Sequence, residues 1–389
     1  MKRTRQKRRG GLSRETEQLI RLANGLSESG SRAEDRYWDE QLSRAIDVLL
    51  QDNDEDALNN ALDTVHGSNP RAYEELADFV ESRAESASGI SADHEVLLIG
   101  APVLAWSRYK IPASVIPSAV LSNLRVHLQA HVLAENARLA LADFLFSPDQ
   151  LPQGYCATAE FAAALGRAAL QNQDLHLETR GMPETAQFLS DTRYLLAAVA
   201  VPRGAPIFAW QESGSSREQA LTQWRNQGGA CIAPIMPGSS IEVVLPEAYF
   251  AASRQADRFS RPYSIRASVA FLGAELETPA AYLRAVIAPF HDRELEEYRI
   301  GFSVRDREQV VHGVVWPLLG AEDEHTDIPA EIEAVLRDCG VTDIVFLDHR
   351  FPLEYCDDCG APMYPSADGE TAHAEMPETH GEQTPRHLH

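Results

Sequence analysis

The order of apolar patterns along this chain predicts an α/β protein, with α+β as the alternative. Three observations carry the prediction. Residues 13–90 show only helix-spaced apolar positions; from residue 95 buried-strand runs alternate with amphipathic helices; and the strand–helix–strand order then returns further along the chain. At 389 residues, 44% hydrophobic and 24% charged, the chain is long enough for several units around a core that needs no disulfide staples.

The helical region comes first. Leu19, Ile20, Ala23 and Leu26 recur at helix spacing, as do Leu42, Ala45, Ile46, Leu49 and Leu50. "SNPRAYEELADFVESRAES" opens with a turn and a proline near the helix start. The small, polar "ESASGISADH" at 85–94 reads as a linker. "EVLLIGAPVLAW" is then a buried strand, "PSAVLSNLRVHLQAHVLAEN" a long helix and "ARLALADFLF" a second strand.

A repeat follows. "GAPVLAW" at 100–106 returns as "GAPIFAW" at 204–210, which leads into helix "REQALTQWRNQ" and strand "SIEVVLP". A weaker third copy starts at "VVHGVVW", with helix "IPAEIEAVLRDCG" and strand "DIVFLDHRFP". Trp106, Trp210 and Trp316 close the first strand of each copy. Pro152 and Tyr155, Pro246 and Tyr249, and Pro352 and Tyr355 follow each second strand in a Pro-x-x-Tyr pattern. "PRAY" at 70–73 has the pattern without a strand before it, so alone it marks only a helix start. Together these landmarks predict duplicated strand–helix–strand units in a mixed sheet covered by helices. "YSIRASVAFLGAEL" and "EYRIGFSV" lean to period-two alternation and are expected to be antiparallel strands.

The expected organisation is a disordered basic arm at 1–12 and a helical region at 13–90. Repeat units then span 91–196 and 197–305, with a partial unit at 306–355. A zinc-knuckle-like hairpin at 356–377 and a disordered tail at 378–389 complete it.

Charge is uneven. The total is −23, yet Lys2, Arg3, Arg5, Lys7, Arg8 and Arg9 fall in the first nine residues, leaving about −29 on the rest. An acidic body repels phosphate backbones, which excludes broad nucleic-acid binding by the folded part. The basic arm is the candidate contact for nucleic acid or a protein partner, or it is simply a solvated tail. No apolar stretch follows the basic start and no run is long enough to span a bilayer, so a cytoplasmic protein is expected. Five scattered cysteines argue against a disulfide framework and for a reducing compartment.

The most chemically specific stretch is "EYCDDCGAPMYP". Cys356, Cys359 and Gly360 form Cys-x-x-Cys-Gly, in which the glycine permits the left-handed turn that aims backbone N–H groups at the sulfurs of a zinc knuckle. "APMYP" and "ETAHAEM" pair around "SADGE" as a hairpin that returns His373 as a third ligand. For the fourth, His380, Cys339, His349 and Glu375 are the candidates, in that order. A redox role is disfavoured because Asp357 and Asp358 oppose a lowered thiolate pKa. A structural clip is preferred over a catalytic metal, which needs an open position and a general base such as Glu375.

Other patterns read as ordinary structure. His127 and His131 in "HLQAH" lack the glutamate of a zinc-protease helix, Leu128 standing there instead. "DNDEDALNNALD" has Ala57 where a calcium loop needs glycine, so it reads as acidic helix capping. "QESGSSRE" reads as a serine-capped polar loop. Phosphate-loop, nucleophile-elbow and dinucleotide motifs are absent from the sequence. A non-enzymatic binding or regulatory role is therefore expected. The alternatives are a metal-dependent hydrolase, another activity in a pocket between repeats, or a nucleic-acid-associated protein using its arm.

"SESGSRAEDRYWDEQL" near the start and "EYCDDCGAPMYPSADGETAHAEMPE" near the end resemble an uncharacterised bacterial family catalogued as domain of unknown function 2863. The resemblance spans essentially the whole chain. It implies a cytoplasmic bacterial protein and brings no catalytic residues with it.

Overall fold

The computed structural model describes residues 12–376 other than 186–187, 306 and 321. The arm cations Lys2 to Arg9, the tail from 378 and His380 lie outside the described residues.

Helices α1 (Arg14–Ser27), α2 (Arg32–Asp52), α3 (Glu55–His66) and α4 (Pro70–Glu85) form the N-terminal layer. Each starts where the sequence offers a cap. Ser13, Ser31, Asp54 and Asn69 accept backbone N–H groups of the first turn, and Pro70 occupies the first helical turn where no donor is needed. Leu19, Leu42, Ile46, Leu58, Leu76 and Val80 are buried between these helices. Among the described residues, no helix is long and apolar enough to cross a membrane.

The first sheet is built in two passes. The first runs β1 (His94–Trp106), α5 (Ser118–His131), β2 (Arg138–Phe146), α6 (Gly154–Leu170). The second runs β3 (Ser190–Pro202), α7 (Arg217–Gln223), a π-type turn at Trp224–Gly228, and α8 (Gly229–Ile232). It ends with β4 (Ser240–Val243), β5 (Glu247–Ala248) and α9 (Tyr249–Glu275). The strand order is β2-β3-β1-β4, with β5 also on β1, and every pairing is antiparallel. Each strand–helix–strand crossover thus brackets a strand of the other pass, the split βαβ arrangement of ferredoxin-like sheets. β1 and β3 pair over their whole length, from His94 opposite Pro202 to Trp106 opposite Ser190.

Strand alternation sends two sets of side chains to opposite faces. Ile99, Ala101, Val103, Leu195, Ala197 and Val199 pack on Leu121, Leu124 and Leu128 of α5 and on Trp224 and Ile232. Leu98, Ala140, Leu196 and Ala198 pack on Ala162 and Leu165 of α6 and on Tyr249 and Ala256 of α9.

The N-terminal layer grips this sheet through two carboxylates. Glu55 accepts the N–H groups of Tyr155 (2.9 Å) and Cys156 (2.8 Å) at the start of α6. Glu85 accepts that of Phe250 (3.1 Å) at the start of α9. α9 begins at the tyrosine of a Pro-x-x-Tyr pattern and α6 one residue before its own, and at both starts unpaired donors and the helix dipole favour an anion. Burial pushes the Glu85 carboxyl up to about 7; the Phe250 N–H opposes this and nearby Glu81 adds to it.

Helix α9 carries the chain to the second sheet. There, β6 (Leu283–His291), β7 (Leu295–Val304) and β8 (Val310–Pro317) form an antiparallel meander. Helix α10 (Ile328–Asp338) returns the chain to β9 (Asp343–Phe346) and β10 (Phe351–Pro352), both parallel to β6. Ile265, Val269 and Leu272 of α9 and Ile328, Ile332 and Leu336 of α10 bury the face carrying Ile287, Ile300, Phe302 and Trp316. Arg261 of α9, almost fully buried, bonds Glu322 and the Pro317 carbonyl with its guanidinium 4.8 Å from the Trp316 ring centre. β11 (Tyr364–Pro365) and β12 (Thr371–Ala372) form a final small hairpin.

The α/β class with mixed pairing, the helical N-terminal layer and the C-terminal hairpin match the expectation. Two expected strands do not. "GAPIFAW" at 204–210 is a turn running into a 3-10 segment at Ala209–Gln211. Gly204 takes φ +77°, a left-handed turn that leads the chain out of the sheet just after β3 ends at Pro202, whereas the matching Gly100 lies within β1. Trp210 therefore does not close a strand; it stacks on Phe208 at 4.5 Å. The equivalent of β1 in the second pass is β3, whose first residue lies 96 rather than 104 residues after that of β1. "YSIRASVAFLGAEL" is helical, being the second half of α9. Its buried positions Ile265, Ser268, Val269 and Leu272 keep helix spacing, and the apparent alternation comes from small residues between them. "EYRIGFSV" is a strand as expected, within β7.

Candidate metal centre

The knuckle grows from β10. Phe351 and Pro352 pair with Phe290 and His291, and the Leu353 N–H continues the ladder to the His291 carbonyl. Three nested contacts then close a loop. Met363 N–H bonds the Glu354 carbonyl (3.0 Å), Tyr355 bridges Pro362, and Cys356 N–H bonds the Ala361 carbonyl (2.7 Å). Inside it the Gly360 N–H returns to the Cys356 carbonyl (2.8 Å), with Gly360 at φ +74°, which is why glycine stands there.

The second hairpin brings the imidazole. β11 and β12 pair Tyr364 with Ala372 and Pro365 with Thr371, around a turn closed by Ser366 and Glu370. His373 follows β12 directly. Its Nε2 lies 3.3 Å from Cys359 Sγ, and the ligand atoms of Cys356, Cys359 and His373 all fall within 4.8 Å of one another. A tetrahedral zinc with ordinary bond lengths holds such atoms roughly 3.5–4 Å apart. The set therefore suits a metal ion with small side-chain adjustments. Among the described residues it is the one group of three or more cysteine, histidine or acidic side chains this close.

Electrostatics favour a thiolate at one sulfur. The Asp358 and Cys359 N–H groups, with the Cys359 thiol, hold Cys356 below the usual thiol range. At Cys359 the Ala361 N–H favours ionisation, but desolvation and the Cys356 sulfur outweigh it and raise the pKa. On the far side of the imidazole, His373 Nδ1 is 3.6 Å from Glu375 Oε1, an outer-shell carboxylate of the kind that orients a metal-binding ring.

Of the fourth-ligand candidates, His380 lies outside the described residues. Cys339 sits at the end of α10 against the second core. His349 Nε2 contacts the Gly369 carbonyl at 3.2 Å. Glu375 faces Nδ1 rather than the sulfurs. The histidine pair on α5 stacks ring on ring at 6.0 Å, with His131 bonded to Gln227. Asp54 caps α3 and Ser216 caps α7, as the capping readings of those segments expect.

Three residues that hold the site were not visible as site residues in the sequence. Arg299 of β7 is fully buried, pairs with Glu297 (2.6 Å), and donates through Nη1 to the carbonyls of Glu354 (2.6 Å) and Met363 (2.8 Å), the two ends of the knuckle loop. Gly301 and Gly313 lie beneath β11, where a Cβ would come within 2.1 Å of the Pro365 carbonyl oxygen and 2.2 Å of the Tyr364 ring. Mid-strand glycine is a sequence signal for close backbone approach; nothing in the sequence marked Arg299.

These features define a two-sheet α/β protein with a cysteine–histidine knuckle strapped across its second sheet. The chain belongs to the family described as protein of unknown function (DUF2863), whose profile matches residues 4–387. No curated protein and no solved structure matches the chain.

Proposed function

We propose that this is a non-enzymatic binding or regulatory protein whose Cys356–Cys359–His373 site holds a structural zinc ion. The observation that carries the reading is the convergence of three zinc-type ligand atoms within 4.8 Å where two very short hairpins meet. Two-residue strands do not hold themselves together in water, and an ion joining the knuckle to β12 supplies the missing cross-link. The donor set of thiolates and imidazole suits zinc. The two β-α-β-α passes of the first sheet support the reading of its body as a duplicated unit.

Elemental analysis of purified full-length protein tests the proposal. About one zinc per chain is expected, lost in the Cys356→Ser, Cys359→Ser double variant, with a lower thermal midpoint after chelation. A metal-free chain overturns it. Stoichiometric zinc whose removal leaves unfolding unchanged overturns the structural role and favours the metal-dependent hydrolase instead.

A further inference from the structure

The knuckle supports a second chemistry, which rests on the structural-zinc reading above. Cys359 is exposed and Cys356 half-buried, so an oxidant in solution meets Cys359 first. The two sulfurs and a nitrogen of His373 lie within 4.8 Å of one another. The turn from Cys356 to Ala361 keeps the two cysteines together through its own backbone hydrogen bonds, near enough for a disulfide after small side-chain rotations. Asp357 and Asp358 between them are exposed. These acids repel anionic oxidants and leave a small neutral one, a hydroperoxide. They also oppose ionisation of free thiols, but a bound zinc ion keeps its sulfurs as thiolates, the form that reacts.

What the ion joins decides what oxidation would undo. Arg299 donates to the carbonyls of Glu354 and Met363, which anchors both ends of the knuckle loop without a metal. β12 has only two ladder residues, and it meets the knuckle at His373 and at an exposed hydrogen bond from Thr371 to Glu354 (2.7 Å).

We propose that Cys356 and Cys359 form a zinc latch that a hydroperoxide opens. The Cys359 thiolate attacks one peroxide oxygen, the O–O bond breaks and hydroxide leaves, giving a sulfenic acid. The Cys356 sulfur then attacks Cys359 Sγ, forming the S–S bond and expelling the sulfenic oxygen as a second hydroxide. Two thiolates have lost two electrons to the peroxide, and two protons from solvent turn both hydroxides into water. Zinc, stripped of both sulfurs, leaves. β12 then loses its tie to a knuckle that itself stays in place.

Hydrogen peroxide added to zinc-loaded full-length protein tests this. A chromophoric chelator reads released metal, peptide mapping reads the disulfide, and a glutamate-specific protease reads β12. About one zinc ion is expected to leave for every two thiols lost, with a Cys356–Cys359 disulfide. Cleavage after Glu370, exposed in the turn before β12, is expected to quicken by about tenfold or more. Dithiothreitol with zinc, given before the protease, should restore protection. A chain that takes up no zinc overturns the structural-zinc reading and this inference together. Zinc that stays bound, a disulfide between other cysteines, or zinc release with unchanged cleavage after Glu370 overturns this inference alone.

Discussion

Gly301 and Gly313 stand directly opposite each other on β7 and β8, and together they form the bare patch on which the Tyr364–Pro365 strand rests. A side chain at either position meets a backbone oxygen or a ring at little more than 2 Å. The close fit makes the hairpin part of the second sheet's packing.

Gly313→Ala is therefore expected to cost about 1–3 kcal/mol through overpacking, and to make residues 350–376 cleavable under limited proteolysis. Gly301→Ala should behave likewise, since the clash there is with backbone. Unchanged stability and protease resistance in both variants would show that the hairpin is not seated on this patch.

Arg299 extends the same argument to charge. Replacing it by methionine strands Glu297 in the interior and leaves the Glu354 and Met363 carbonyls without their donor, at an expected cost of about 3–5 kcal/mol. A second change, Glu297→Gln, should recover part of that loss. Chemical denaturation of the single and double variants measures the coupling, and an additive pair would mean the two side chains act separately.

The Glu85 carboxyl supplies a pH prediction. Its pKa in the fold is about 7 against an ordinary value of 4.5, so the folded chain favours the protonated form. Its contribution to stability is complete below about pH 4.5 and is lost as the pH rises towards and through 7. The loss amounts to about 3 kcal/mol at most. Glu85→Gln keeps an acceptor for the Phe250 N–H and removes the titration. Its stability relative to the parent is expected to rise between pH 5 and 8, read from denaturation midpoints across that range.

His373→Ala tests the junction of the two hairpins. With one ligand gone, zinc affinity should fall by more than about 100-fold, whereas Glu375→Gln, which disturbs only ring orientation, should lower it by about 10- to 100-fold. Competition with a chromophoric chelator gives both values. Equal zinc affinity in parent and His373→Ala would remove the imidazole from the site.

How much of this was legible depended on whether the signal was local. Capping residues, α1 to α5 and the Cys356–Gly360 turn depend on neighbours within a few positions, and the sequence located them. The segment 204–210 misled because its resemblance to 100–106 is compositional, while the left-handed turn at Gly204 decides its conformation. The second half of α9 misled because small residues between buried positions imitate alternation. Arg299 was invisible because its role depends on carbonyls more than fifty positions away. The paired glycines could have been read, since β-branched and aromatic neighbours made each an oddity in its strand.

The full-length pairing of β1 with β3 carries a further implication for how the molecule can be dissected. Each pass keeps its crossover helix but surrenders its central ladder partner to the other, so a break between residues 171 and 189 leaves two fragments with raw hydrogen-bonding edges. Such fragments should be insoluble when made singly and regain structure when made together, behaving as halves of one interlocked body rather than as beads on a string.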